Sequence, residues 1–145
     1  MKARHTIIPA VFLVLRKGDE ILLQRRKNTG HGDGMLSLVG GHVDKDEPSI
    51  ATLCREAQEE IGITISSSDA KFVYVLHRKQ DEEERIDIFF EVKKWSGGIK
   101  ICEPNKCSEI VLCPTNQIPA DTLPYIRHAL DDISNGTSYG EYGWN

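Results

Sequence analysis

The chain has 145 residues, of which 39% are hydrophobic and 28% charged, and its formal net charge is −4. That length suits one domain with a real core, residues 1–145, and the composition excludes an intrinsically disordered chain. The acidic balance argues against a broad nucleic-acid footprint without excluding a local basic pocket.

The first apolar run, Ile7 to Leu15, is too short to span a bilayer and is followed at once by Arg16 and Lys17. Lys2, Arg4 and His5 lead into it without a signal-peptide pattern, so the expected location is cytoplasmic, with no membrane partner. Thr6 to Arg26 predicts two strands joined at Gly18-Asp19, which is hairpin turn chemistry. Asn28 to Gly34, "NTGHGDG", predicts a glycine-rich loop, and Met35 to Val43 a short strand running into a turn at Gly40-Gly41.

The next segment, "DKDEPSIATLCREAQEEIGI", carries helix signals at both ends: Asp46 or a neighbour as N-cap, Pro48 in the first turn, and Gly62 after the last. Ile50, Leu53, Cys54, Ala57 and Ile61 form its apolar face. Glu56, Glu59 and Glu60 fall on a neighbouring arc about 100° wide. Like charges at these spacings destabilise an isolated helix by a few tenths of a kcal/mol per pair. Three carboxylates on one arc also offer hard oxygen ligands, which suit Mg²⁺ or Mn²⁺ better than zinc or copper.

Lys71 to Lys79 and Arg85 to Trp95 alternate and are rich in β-branched and aromatic residues, with "QDEEE" between them as a hairpin loop. Ser108 to Pro114 predicts a further strand, and Ile126, Ala129, Leu130 and Ile133 have helical spacing. The tail from Ser134 to Asn145 reads as irregular. The order β-β-β-α-β-β-β-α suggests an α/β fold, a mixed sheet with helices on its faces. Cys54, Cys102, Cys107 and Cys113 lack paired C-x-x-C spacing and read as reduced structural thiols.

Gly41 to Ile63 resembles the Nudix box, G-x5-E-x7-R-E-U-x-E-E-x-G-U, where U is a bulky aliphatic residue. Gly41, Glu47, Arg55, Glu56, Glu59, Glu60, Gly62 and Ile63 all match, and Ala57 fills the first U position with a smaller residue than usual. Chance agreement at the strict positions is on the order of 10⁻⁸ at one register. Two departures stand upstream: Val39 where many members have proline, and Leu36 where an aromatic is common.

The resemblance implies a Nudix-type α/β/α sandwich and a Mg²⁺- or Mn²⁺-dependent pyrophosphohydrolase. It makes Glu56 and Glu60 metal ligands, with Glu59 in the cluster and the Gly40 carbonyl as a backbone ligand. The water-activating base is then Glu59 or Glu56, or an acid from a loop outside the box. Glu47 and Arg55 form the salt bridge that holds the box glutamates in place. Outside the box, Glu103 is a candidate ligand or base, weighed against an ordinary loop glutamate. Arg25 and Arg26 are candidates for substrate phosphates, because guanidinium forks match phosphate oxygens. His42 reads as structural, and Trp95, Tyr139, Tyr142 and Trp144 as packing residues more than base-stacking ones.

The implied substrate is a small nucleotide, a nucleoside diphosphate linked to X; a nucleoside triphosphate would give a monophosphate and pyrophosphate. ADP-ribose, dinucleoside polyphosphates and RNA 5′ ends are left open, as is a homodimer. Two competing readings are a nucleotide-binding module that does not cleave its ligand and an isoprenoid-diphosphate isomerase on the same fold. The filled acidic positions weigh against the module, and the isomerase would need a further cysteine and acid in a suitable pocket.

Overall fold

Strand β1 (Ile8–Lys17) is buried on both faces, which explains why its sequence is a continuous apolar run and not an alternating one. In a computed structural model, which describes residues 2–145, Ala10, Phe12 and Val14 enter one core. Val11, Leu13 and Leu15 enter a second core on the opposite face. The predicted hairpin is present: β2 (Glu20–Arg26) returns antiparallel, with Lys17 opposite Glu20.

β1 also pairs antiparallel with β4 (Val39–His42) and parallel with β6 (Glu83–Val92). β6 continues to β5 (Lys71–Gln80) and then to β8 (Tyr139–Tyr142), which runs parallel to β5. β2 carries a second arm, pairing with β3 (Leu36–Ser37) and β7 (Cys107–Pro114). Among the described residues the result is a mixed eight-stranded sheet.

Helix α1 (Ser49–Ile61) covers one face, burying Leu53, Ala57 and Ile61 with Val39, Ile63 and Val92. Helix α2 (Pro124–Ser134) covers the other, burying Tyr125, Ile126, Ala129 and Leu130 with Tyr74, Leu76 and Phe89. Each large apolar side chain so buried contributes about 1.5–3 kcal/mol. The two cores on opposite sides of β1 make the expected α/β/α sandwich.

Four local expectations are corrected. Gly40 and Gly41 lie inside β4, paired with Phe12 and Val11, and do not form a turn. A Cβ at Gly40 would strike the Val11 carbonyl and the Phe12 ring, so glycine serves close strand approach here. Asp46 does not cap α1: it has a left-handed φ of 63° in the preceding loop, and Pro48 occupies the N-cap without a side-chain hydrogen bond. The "QDEEE" run is mostly strand, with only Asp81 and Glu82 left as the turn between β5 and β6. The tail contains β8, where Gly140 passes too close to the Tyr74 hydroxyl and Asp132 to carry a side chain.

Gly62 ends α1 as expected, at φ 74° with its N–H donated to the Gln58 carbonyl at 3.1 Å. The four cysteines are free, as read from their spacing. No helix among the described residues is long and apolar enough to cross a membrane.

Candidate active site

Arg55 organises the loop ahead of α1 and the helix itself. Its Nε and Nη2 donate to the two oxygens of Glu47 at 2.9 and 3.0 Å, the bidentate geometry that a planar guanidinium favours. Nη1 reaches Glu56 at 2.9 Å and Glu59 at 3.3 Å, and Nη2 reaches Asp44 at 3.3 Å. Thr52, a buried polar residue on the helix, donates its hydroxyl to Glu47 at 2.7 Å. Arg55 and Thr52 together hold the Glu47 carboxyl down to about 2, and the acids around Arg55 push its own pKa up.

The three helix acids do not share one environment. Glu59 is half exposed, whereas Glu56 is turned inward against Gly41. Glu60 accepts from the buried Gln24 amide at 2.6 Å through Oε1, while its Oε2 is buried with no partner. Burial, followed by the neighbouring Glu56, pushes the Glu60 carboxyl up to about 9. An orphaned, buried carboxylate oxygen beside a second carboxylate is costly unless a proton or a cation is supplied.

This is the observation by which a divalent ion fits the residues. Among the described residues no three His, Cys, Asp or Glu form a closed metal cage. Mg²⁺ does not require one, since it takes one or two carboxylates and completes its shell with water and phosphate oxygens.

Glu103 shares a recess of about 70 Å³ with Glu60, Gln24, Arg26, Thr29, Lys106 and Cys107. Its partial exposure and the 3.9 Å approach of Lys106 leave it an acid at the margin of the cluster. Cys107 is buried there and burial pushes its thiol up, which gives no support to the cysteine chemistry of an isomerase.

The two candidate arginines separate. Arg25 donates to the Gly34 carbonyl and to Asp121 and approaches Glu109 at 3.6 Å, so it ties together the glycine loop, β7 and the approach to α2. It does not line the recess or the larger cleft beside it. Arg26 lines both, steadied by the His31 carbonyl at 2.6 Å and the Thr29 hydroxyl at 3.0 Å.

That cleft, about 340 Å³, opens next to Gly40 and Gly41 and brings in residues not singled out from sequence: His31, Arg78, Gln80, Arg85 and Tyr125. His42 lines it too, accepting from Arg85 at 2.7 Å. Arg78 is buried on Asp87, Nε to Oδ2 at 2.7 Å, and lies 3.8 Å over the Tyr125 ring. A usable signal existed: Arg78 and Asp87 each interrupt an apolar alternation with a charge, and two such strands in a hairpin can pair them. The candidate stacking aromatics lie elsewhere, with Trp144 against His77, Tyr142 against His128, Tyr139 bonded to Glu141, and Trp95 on the α1-side core.

The contact between Gly41 and Glu56 gives a direct test of the site's geometry. A Cβ at position 41 would come within 2.5 Å of the Glu56 carboxyl carbon. Gly41→Ala is expected to displace that carboxylate and lower kcat by about 10²-fold, the usual scale for a misplacement near 1 Å. Its melting temperature should move by only a few degrees. Unchanged kcat would show that the position of Glu56 does not matter for the reaction.

A family model described as "NUDIX domain" matches residues 6–133. Among solved structures, a MutT NUDIX hydrolase from Burkholderia pseudomallei superposes with TM-score 0.79 at 25% identity, covering 88% of this chain and 98% of that one. A MutT protein from Methanosarcina mazei Go1 superposes with TM-score 0.79 at 23% identity, covering 92% and 97%. A search of curated protein sequences gave no match.

Proposed function

The chain belongs to the Nudix family, hydrolases of pyrophosphate bonds, and from that premise we propose that it is a Mg²⁺- or Mn²⁺-dependent hydrolase of nucleoside diphosphates linked to X, nucleoside triphosphates included. The observation that carries the metal dependence is the buried, unpartnered Oε2 of Glu60 beside Glu56. Glu56 and Glu60 would hold the ion, and the Gly40 carbonyl, Glu59 and Glu103 are the further oxygens proposed to contribute. Bound there, the ion supplies neutralising charge for the phosphates and acidifies the attacking water.

The protein's own groups do the rest. Arg55 and Glu47 hold the acids in register, since five guanidinium N–H groups are committed to carboxylates on the loop and helix. Arg26 stands between the acidic recess and the cleft and would bind the diphosphate there. Glu59 is the proposed base: its carboxylate is half exposed, and so open to water, while Arg55 steadies it at 3.3 Å. The water oxygen bonds to phosphorus, the anhydride P–O bond breaks, and the water's proton passes to Glu59.

A panel of nucleoside triphosphates and nucleoside diphosphates linked to sugars or to a second nucleotide, each with Mg²⁺ or Mn²⁺, tests the proposal by product analysis. The expected result is metal-dependent turnover, giving a monophosphate and pyrophosphate from a triphosphate. Absence of turnover across the panel with nucleotide binding intact would replace this reading with a binding module.

A further inference from the structure

The cleft has a chemical bias that cleavage of the anhydride does not explain. Its lining contains three of the chain's eight arginines, Arg26, Arg78 and Arg85, and no Asp or Glu, in a chain of net charge −4.

The hydrogen bonds behind the lining sharpen that bias. Arg78 donates through Nη1 to Gln80 at 2.5 Å, and because a guanidinium only donates, the Gln80 amide must present its oxygen there. Gln80 Nε2 then donates to His31 Nδ1 at 3.2 Å, which leaves the His31 proton on Nε2, facing the Tyr125 hydroxyl at 3.4 Å. Burial and the charges of Arg26, Arg78 and Arg85 lower the His31 pKa, consistent with a positive field in the cleft. Arg85 donates Nη1 to His42 and Nη2 to Glu83, while its Nε is buried with no partner. Side-chain acceptors are thus consumed within the wall, so the lining offers a ligand donors more than acceptors.

The aromatic groups do not offer a platform for a base. Phe12 and Tyr125 are each 8% exposed. Tyr125 has the Arg78 guanidinium 3.8 Å from its centroid and His31 stacked at 6.1 Å, and Phe12 stacks on Phe89 at 5.1 Å. Base stacking needs an open ring face, which neither provides.

We propose that the cleft is a phosphoryl subsite: it binds a phosphate of the substrate that lies outside the cleaved diphosphate, so that substrates carrying a phosphate on X are preferred over those with a neutral X. Guanidinium donors match phosphate oxygens in number and direction, and Arg26 and Arg85 bring two of these groups to the cleft. The inference rests on the hydrolase reading for which bond is cleaved, but the subsite can be measured without turnover.

Two measurements test it. The first compares kcat/KM for a nucleoside diphosphate linked to a neutral sugar with that for the same compound phosphorylated on the sugar, in wild type and Arg85→Gln. Wild type should prefer the phosphorylated compound by about tenfold or more, the worth of one charge-assisted hydrogen bond. In Arg85→Gln that ratio should collapse towards one through KM, and Arg85→Lys should keep part of it. A preference set by the base alone, or one that survives Arg85→Gln, would overturn the subsite. The second titrates metal-free protein with inorganic tripolyphosphate by calorimetry, where binding should weaken about tenfold in Arg85→Gln. No binding, or equal binding by both proteins, would also overturn it. Arg85-dependent tripolyphosphate binding without turnover on any substrate would support the subsite and retract the hydrolase reading. Turnover without an Arg85-dependent phosphate preference would retract the subsite alone.

Discussion

Replacing Glu60 with Gln is expected to lower turnover by about 10²–10⁴-fold, the scale of losing an ionised group needed in the transition state, while stabilising the metal-free protein at neutral pH. The two effects have one cause. The Glu60 carboxyl is raised from an ordinary 4.5 to about 9 by burial and by Glu56. A raised carboxyl contributes stability that is fully present below pH 4.5 and is lost as pH rises through about 9. Within that window metal-free wild type should lose stability steadily as pH rises, because the unfolded chain releases this proton at a lower pH than the folded one. Gln has no proton to lose and its carbonyl can still accept from Gln24, so the variant's stability should stay flat over the same range. Thermal unfolding at pH 5, 7 and 8 without metal would show the two curves diverging, with the variant melting higher at pH 8. Adding Mg²⁺ should then raise the wild-type melting temperature and leave the variant's nearly unmoved. Near wild-type kcat in Glu60→Gln, or an equal Mg²⁺ shift in both proteins, would remove Glu60 from the metal site.

What the sequence revealed of this site was what lies close together along the chain. Glu47, Arg55, Glu56, Glu59 and Glu60 are within one loop and one helix, so spacing alone brings them together. Their inequality was not legible, because Glu60 is buried by Gln24 on β2 and by the recess before β7, both distant in sequence. The cleft was invisible for the same reason. It draws on β1, the end of β2, the glycine loop, β4, β5, β6 and α2, and the parallel pairing of β1 with β6 that assembles it leaves no local signature. The glycine pair misled in a different way. Adjacent glycines usually signal a turn, but here both are needed for close approach, Gly40 to β1 and Gly41 to the Glu56 carboxylate. β8 was missed because its short, glycine-containing sequence is recruited by pairing to β5.

Arg55→Ala should damage both activity and stability, and the pH dependence of that damage identifies its role. Arg55 bonds Glu47 through two N–H groups, and also reaches Glu56, Glu59 and Asp44. Truncation leaves Glu47 and Glu56, both largely shielded, without a countercharge and frees the loop from the helix. A fall of at least about 10²-fold in kcat is expected from misplaced acids, together with a clear drop in melting temperature at pH 7. The Glu47 carboxyl, now held at about 2, should return towards its ordinary 4.5. A depressed carboxyl contributes stability present above pH 4.5 and lost as pH falls through about 2, so wild type should lose this contribution on acidification over that window. Arg55→Ala lacks the contribution at every pH, and its unfolding free energy should approach that of wild type as pH drops towards 2. Arg55→Lys separates charge from geometry: its single ammonium can restore part of the melting temperature but cannot serve Glu47 and Glu56 together, so kcat should stay low. Full recovery of kcat in the lysine variant would mean that Arg55 supplies only charge. Equal kcat and equal melting temperature in the alanine variant would mean that the Arg55 to Glu47 bridge holds nothing in place.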